Sequence, residues 1–475
     1  IKLLAEFFLT LWLFFSGFLF CTHLFEKKDI LNKLIFSYPI SSTYTVIGFQ
    51  LFSVFGIKIT YTIILLFEIL KFLSLIKLKI YFSTKNLKHI IFYISLIIIP
   101  FFLLPWITHD SSMFALYSQA ILNSKILDFP ESGLVSYGFY LSGLHSFYNV
   151  FTDSPFTVSI PFCFGISFTI LLIKTSFNLL KHEYKINLNI LIFLLVLLTT
   201  PMYILGFVYI HNNLISSFFI FSTFILLMKD LKFKNFLNQI LIFSLILGVL
   251  VSRMENGIIF SILGIFLLLF NKHTIKYRFG IYCGIFYGYF WYLLIYFKSR
   301  EYSDVILSEN TSLMILLSLL ILNILIIFHS KLIKISKFIN LKLTFYILLL
   351  LILIPFLIQP LEAFESFKAL SLNAALVGKW SFFWYIFLIF VFINDGHLFY
   401  KYKKKVSSNS GLIFLVLSLL FFVLIYLMSF FRVPYRLGYG DSGNRLLITI
   451  FPFAVQYMFF CIYEIKKNKK LSFFT

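Results

Sequence analysis

Residues 341–357 read LKLTFYILLLLILIPFL, an apolar run whose one charge, Lys342, lies in its first turn. About twenty such residues, at 1.5 Å per residue, cross a bilayer core of roughly 30 Å. Inside lipid every backbone N–H and C=O needs an internal partner, which leaves helices or closed barrels. Barrel strands alternate apolar and polar residues over about ten positions, and 341–357 does not alternate. The run predicts a transmembrane helix.

Comparable runs recur outward in both directions. They predict an all-α polytopic bundle of about 13–15 spans, one integral membrane domain over residues 1–475. Expected limits include 40–57, 59–80, 188–208 and 342–360; residues 41–82 are alternatively one long tilted helix. Glu6 to Cys21 reads as a span, because no basic leader or small-residue cleavage site frames it as a signal peptide. No soluble domain is expected after the last span.

Composition agrees. The chain is 60% hydrophobic and only 12% charged, with a mean hydropathy of +0.96, whereas soluble domains carry about a quarter charged residues. The net charge of +21 would suggest nucleic acid in a soluble protein. Here the lysines fall in alternate inter-helix loops, for example Lys85 and Lys88, Lys272 to Arg278 and Lys401 to Lys405. That alternation implies an anionic inner leaflet as partner and no nucleic acid. It places those loops and the C-terminus in the cytoplasm. Cys21, Cys163, Cys283 and Cys461 show no metal or disulfide spacing and read as small apolar residues.

The opposite loops hold most of the acidic residues, and one is out of scale. Residues 107–155 form an external loop of about 49 residues, where most connections are under about twenty. From Met113 the residues Phe114, Leu116, Tyr117, Ala120 and Ile121 make a helical stripe with Ser111, Ser112, Ser118 and Asn123 opposite. A second helical stretch is expected over 134–150, with His145 on its amphipathic face. Both are expected to lie at the membrane surface.

The chemistry-bearing residues gather on this side. Asp110, in Thr108-His109-Asp110-Ser111-Ser112, suits a general base towards an acceptor hydroxyl or a ligand for a divalent cation; the competing role is a helix N-cap. Phe114 and Tyr117, at i+4 and i+7, would share its face and wall a pocket. Residues 435–445, with Arg436, Asp441 and Arg445 among glycines before a helix, offer backbone N–H groups and guanidinium forks to a phosphate; snorkelling arginines in an ordinary loop are the alternative. In the turn Ser252-Arg253-Met254-Glu255-Asn256-Gly257, Arg253 and Glu255 either pair with each other or face a pocket. His211 lies in a similar turn. His109, Asp110 and His211 lack metal-ligand spacing, so no metal site is assigned. Glu362, Glu365, Lys368 and Lys379 read as solvated loop charges, and Glu68, inside an apolar stretch, as the partner of Lys71.

With an Asp opening its first large external loop, the chain resembles the GT-C superfamily of polyprenyl-phosphate-sugar-dependent glycosyltransferases. The resemblance rests on His109-Asp110, the following helix with Tyr117, the Pro130 to Tyr148 aromatic segment, the 252–257 turn and Gly443-Asn444-Arg445-Leu446-Leu447 with Pro452. It covers roughly residues 88–464. It implies that Asp110 deprotonates the acceptor, that the sugar transfers with inversion, and that Arg445 neutralises the departing lipid phosphate. His109 stands where some members have a second carboxylate. The implied partners are a polyprenyl-phosphate-sugar donor, membrane lipids, and a glycan, lipid or protein acceptor of the cell envelope. The resemblance assigns no definite cofactor, and a divalent cation is the candidate. The alternatives are a polysaccharide polymerase or ligase using lipid-linked donors, and a multi-span transporter or flippase, which would favour repeats and midplane charges.

Overall fold

The computed structural model describes residues 2–26, 29–76, 87–123, 138–154, 156–180, 188–228, 235–271, 273–300, 306–329, 331, 341–401, 410–431 and 445–467. Their regular secondary structure is all helical, with one isolated bridge between Trp106 and Tyr209. Five helical stretches among them are long and apolar enough to cross a membrane: Lys2–Leu24, Ser159–Asn178, Thr274–Phe297, Leu341–Ile358 and Gly411–Phe431. The chain forms two compact units, Ile1–Phe168 with Gly206–Lys334, and Thr169–Leu205 with Ile335–Thr475.

Unit 1 is built from α1 (Lys2–Leu24), α2 (Ile30–Val54), α3 (Tyr61–Ile76), α4 (Leu87–Ile98), α5 (His109–Leu122), α6 (Phe139–Thr152) and the first part of α7 (Ser159–Leu180). It continues with α10 (Asn213–Met228), α11 (Asn235–Ser252), α12 (Asn256–Phe270), α13 (Arg278–Arg300) and α14 (Ile306–Ile327). α1 packs along α2, and Gly17 allows the approach, since a Cβ there would stand 1.8 Å from the Ser37 carbonyl oxygen. Small residues at such crossings let helix backbones meet closely.

Three expectations change in this unit. The helix expected from residue 40 starts at Ile30 and buries Ser37, Ser41, Ser42, Thr43, Thr45 and Gln50. Its hydroxyls are satisfied by bonding back one turn, Ser42 to the Tyr38 carbonyl at 2.6 Å and Thr43 to that of Pro39 at 2.8 Å, a device that hydropathy does not register. In α5, Ser111 and Ser118 lie in the buried stripe with Phe114, Tyr117 and Ile121. α6 has no solvated face over Phe139–Tyr148, where every residue is buried, His145 included. It is enclosed by α1, α2, α5 and α11, so its apolar stripe is core where a surface helix was expected.

Unit 2 contains the end of α7, α8 (Leu188–Leu198), α9 (Pro201–Leu205), α15 (Leu341–Ile358), α16 (Pro360–Leu372), α17 (Phe383–Lys401), α18 (Ser410–Phe431) and α19 (Phe451–Lys467). The span expected over 188–208 is two pieces, because Pro201 cannot continue α8 and instead starts a new turn. The charged segment after Ile358 is not a loop. Pro360 opens α16, and Lys368 and Glu365 pair at 3.5 Å along its surface. Its core stacks Tyr203 on Phe451 at 4.7 Å and Phe383 on Phe451 at 4.6 Å.

Candidate functional site

The first turn of α5 carries Asp110, and it is capped by a different residue. Thr108 is the N-cap, with extended backbone (φ −127°, ψ 177°), and its N–H donates to Ser111 Oγ at 3.0 Å in a capping box. A cap satisfies helix N–H groups that otherwise have no partner. Asp110 sits two residues past the cap, so the N-cap alternative for it does not hold. The side chains of His109 and Asp110 lie outside the described residues.

The helix start is strapped to residues 208–211. Trp106 donates its N–H to the Val208 carbonyl at 2.9 Å, and Ser111 Oγ donates to the Ile210 carbonyl at 3.1 Å. Thr108 and Tyr209 hydroxyls lie 3.4 Å apart. Rings then stack in sequence: Trp106 on Tyr209 at 4.7 Å, Tyr209 on His211 at 5.2 Å, and Phe114 edge-on to His211 at 5.5 Å. Phe114 and Tyr117 are fully buried beneath. His211 Nδ1 accepts the Asn213 N–H at 3.3 Å, which puts the proton of the neutral ring on Nε2.

Asn213 begins α10 and joins this strap to the turn between α11 and α12. Its side-chain carbonyl accepts from Arg253 Nη1. Arg253 closes a fork on Glu255, with Nε to Oε2 at 3.2 Å and Nη2 to Oε1 at 3.1 Å. Such charge-assisted two-point pairs fix geometry as well as contributing energy. The turn itself is held from four sides. Asn256 Nδ2 donates to Ser216 Oγ at 2.7 Å and Ser252 Oγ at 2.8 Å. Tyr292 OH donates to the Leu250 carbonyl at 2.8 Å. Gly257 packs against Ile315, and Gly138, at φ +80°, lies so close to Ser252 that a Cβ would fall 2.2 Å from its carbonyl oxygen.

The structure therefore brings the backbone of Asp110 and the side chains of His211, Arg253 and Glu255 onto one connected platform within unit 1, with Tyr117 buried on the same helix as Asp110. Arg445 belongs to unit 2, where it is half-buried in the helical turn leading into α19. Arg436 and Asp441 lie outside the described residues. Among the described residues no three His, Cys, Asp or Glu side chains group as metal ligands. Trp106, Tyr209, Asn213 and Asn256 are members that sequence reasoning did not select. Two polar runs between apolar helices hinted at the asparagines, His211-Asn212-Asn213 for Asn213 and the 252–257 turn for Asn256. No protein-family model matches the chain, and neither does any curated protein or solved structure.

Proposed function

We propose that the chain is a multi-pass membrane glycosyltransferase that moves a sugar from a polyprenyl-phosphate donor to a cell-envelope acceptor. The observation that carries this reading is the platform joining Asp110's helix turn to His211 and the Arg253–Glu255 fork. The capping of that turn is supplied by Thr108 and Ser111. The alternation of lysine-rich loops puts these residues on the non-cytoplasmic side, where a lipid-linked donor keeps its tail in the membrane.

In this reading Asp110 accepts the proton of an acceptor hydroxyl. The acceptor oxygen attacks the anomeric carbon, the bond from that carbon to the phosphate oxygen breaks, and polyprenyl phosphate leaves with inversion. A positioned base contributes on the order of 10²–10⁴-fold. Fixed positive groups on the departing phosphate add a further large term in a site shielded from water. Arg445 is proposed for that role on its sequence pattern alone, a helix-start arginine after a glycine-rich stretch.

The purified chain in proteoliposomes, given radiolabelled polyprenyl-phosphate hexose and pentose donors and a cell-envelope extract, is expected to transfer label from at least one lipid donor. Transfer from soluble nucleotide sugars alone, or from no donor, would overturn the reading.

A further inference from the structure

The Arg253 fork leaves part of the guanidinium open. A guanidinium has five N–H donors. Here Nε–H and one Nη2–H go to Glu255, and one Nη1–H goes to Asn213. The remaining two N–H groups, one on each terminal nitrogen, have no acceptor among the described residues. The two terminal nitrogens are the pair of atoms through which a guanidinium grips a planar or tetrahedral oxyanion end-on. About a tenth of the side chain, 10%, remains exposed.

Asn213 is a peculiar choice as the third partner. Its oxygen must face the guanidinium, because the alternative amide orientation would set N–H against N–H. That leaves Nδ2 buried with no hydrogen-bond partner among the described residues, in a residue only 6% exposed. An aspartate would supply the same acceptor without the orphaned donor. It would also change the charge. A carboxylate at 213 would place a second negative charge beside the Arg253–Glu255 pair.

We propose that Arg253 offers its two remaining N–H groups to a substrate oxyanion, and that Asn213 is the positioning residue that holds it there without adding negative charge. The ligand class is a phosphate mono- or diester. Its assignment to the sugar donor rests on the glycosyltransferase reading, whereas the anion subsite does not.

The test uses the full chain in detergent, with farnesyl phosphate and inorganic phosphate as probes and thermal unfolding as the readout. Wild type is expected to be stabilised by farnesyl phosphate, and Arg253→Gln to lose that response. Asn213→Asp is expected to unfold at or above the wild-type temperature yet bind the probe at least tenfold more weakly, because the added charge repels the anion. A purely structural Asn213 would give a stable aspartate variant with unchanged probe affinity. That result, or a wild type with no response to either probe, would overturn the proposal. A larger shift with farnesyl phosphate than with inorganic phosphate identifies a membrane-held headgroup, and equal shifts identify a soluble anion. Probe binding without sugar transfer would leave this subsite standing and remove the transferase reading. Transfer with Asn213→Asp indistinguishable from wild type would do the reverse.

Discussion

Two ion pairs in unit 1 are each made by residues two or three apart, and they end differently. Glu68 and Lys71 on α3 meet at 2.5 Å. Glu68 also accepts from Trp12 Nε1 at 2.7 Å and Thr45 Oγ1 at 2.8 Å, and Lys71 reaches Ser41 at 3.2 Å and Thr45 at 3.1 Å. Ser41 is in turn 2.7 Å from Ser16. The charges are neutralised and ringed by hydroxyls from α1 and α2, and Glu68 is 4% exposed. The Arg253–Glu255 pair is also close, but among the described residues two of its guanidinium N–H groups and the amide nitrogen of its third partner, Asn213, have no acceptor. A closed buried pair joins helices. An open one is available for a ligand.

The largest effect expected from this contrast is on the closed pair. Removing one partner of a buried ion pair strands the other charge and costs about 3–5 kcal/mol, whereas replacing both with apolar residues is often near neutral. Glu68→Leu and Lys71→Met should each lower unfolding stability by that amount, and the double variant should recover most of it. Additive losses in the double variant would show that the pair is not the unit of stability.

The open pair depends on the backbone around it. Gly138 has φ +80° and a Cβ there would overlap the Ser252 carbonyl, while Gly56 has φ +68° with nothing within 4 Å of its Cβ position. A left-handed conformation costs an L-residue roughly 1–2 kcal/mol. Gly56→Ala should lose about that much. Gly138→Ala should lose more and displace the 252–253 turn, lowering transfer as well as stability. Equal losses in the two variants, with transfer intact in both, would separate Gly138 from the site.

The smallest effect sharpens what openness means. His145 is fully buried and, among the described residues, neither ring nitrogen has a hydrogen-bond partner and no charge is paired with it; it lies off the platform. Burying a polar group without a partner costs about 1–3 kcal/mol. His145→Phe is expected to raise stability by about 1 kcal/mol and leave sugar transfer at the wild-type rate. A loss of transfer would enlarge the site to include α6.

Much of this was legible in the sequence because it is local. Long apolar runs gave helices, and Glu68 with Lys71 or Arg253 with Glu255 could be paired by spacing alone. Pro201 and Pro360 mark helix starts, but the first was hidden inside an apolar run and the second inside a charged one. The burial of α6 and of the α2 hydroxyls was not legible, since an apolar stripe reads the same against lipid and against protein. Nor was the role of Thr108, where Asp110 drew attention as the more usual capping acid. The strap from Trp106 through Tyr209 to Asn213 and Arg253 joins residues about 40 to 100 apart, as Asn213 to Arg253 and Thr108 to Tyr209 show. No single-chain pattern encodes such a meeting.

The most direct test of the central claim is single-turnover sugar transfer from a polyprenyl-phosphate donor by Asp110→Asn, alongside its thermal unfolding. Thr108 and Ser111 cap α5, so the variant should fold and unfold as wild type does while transfer falls by on the order of 10²-fold or more. Wild-type transfer rates in a normally folded Asp110→Asn protein would contradict the account.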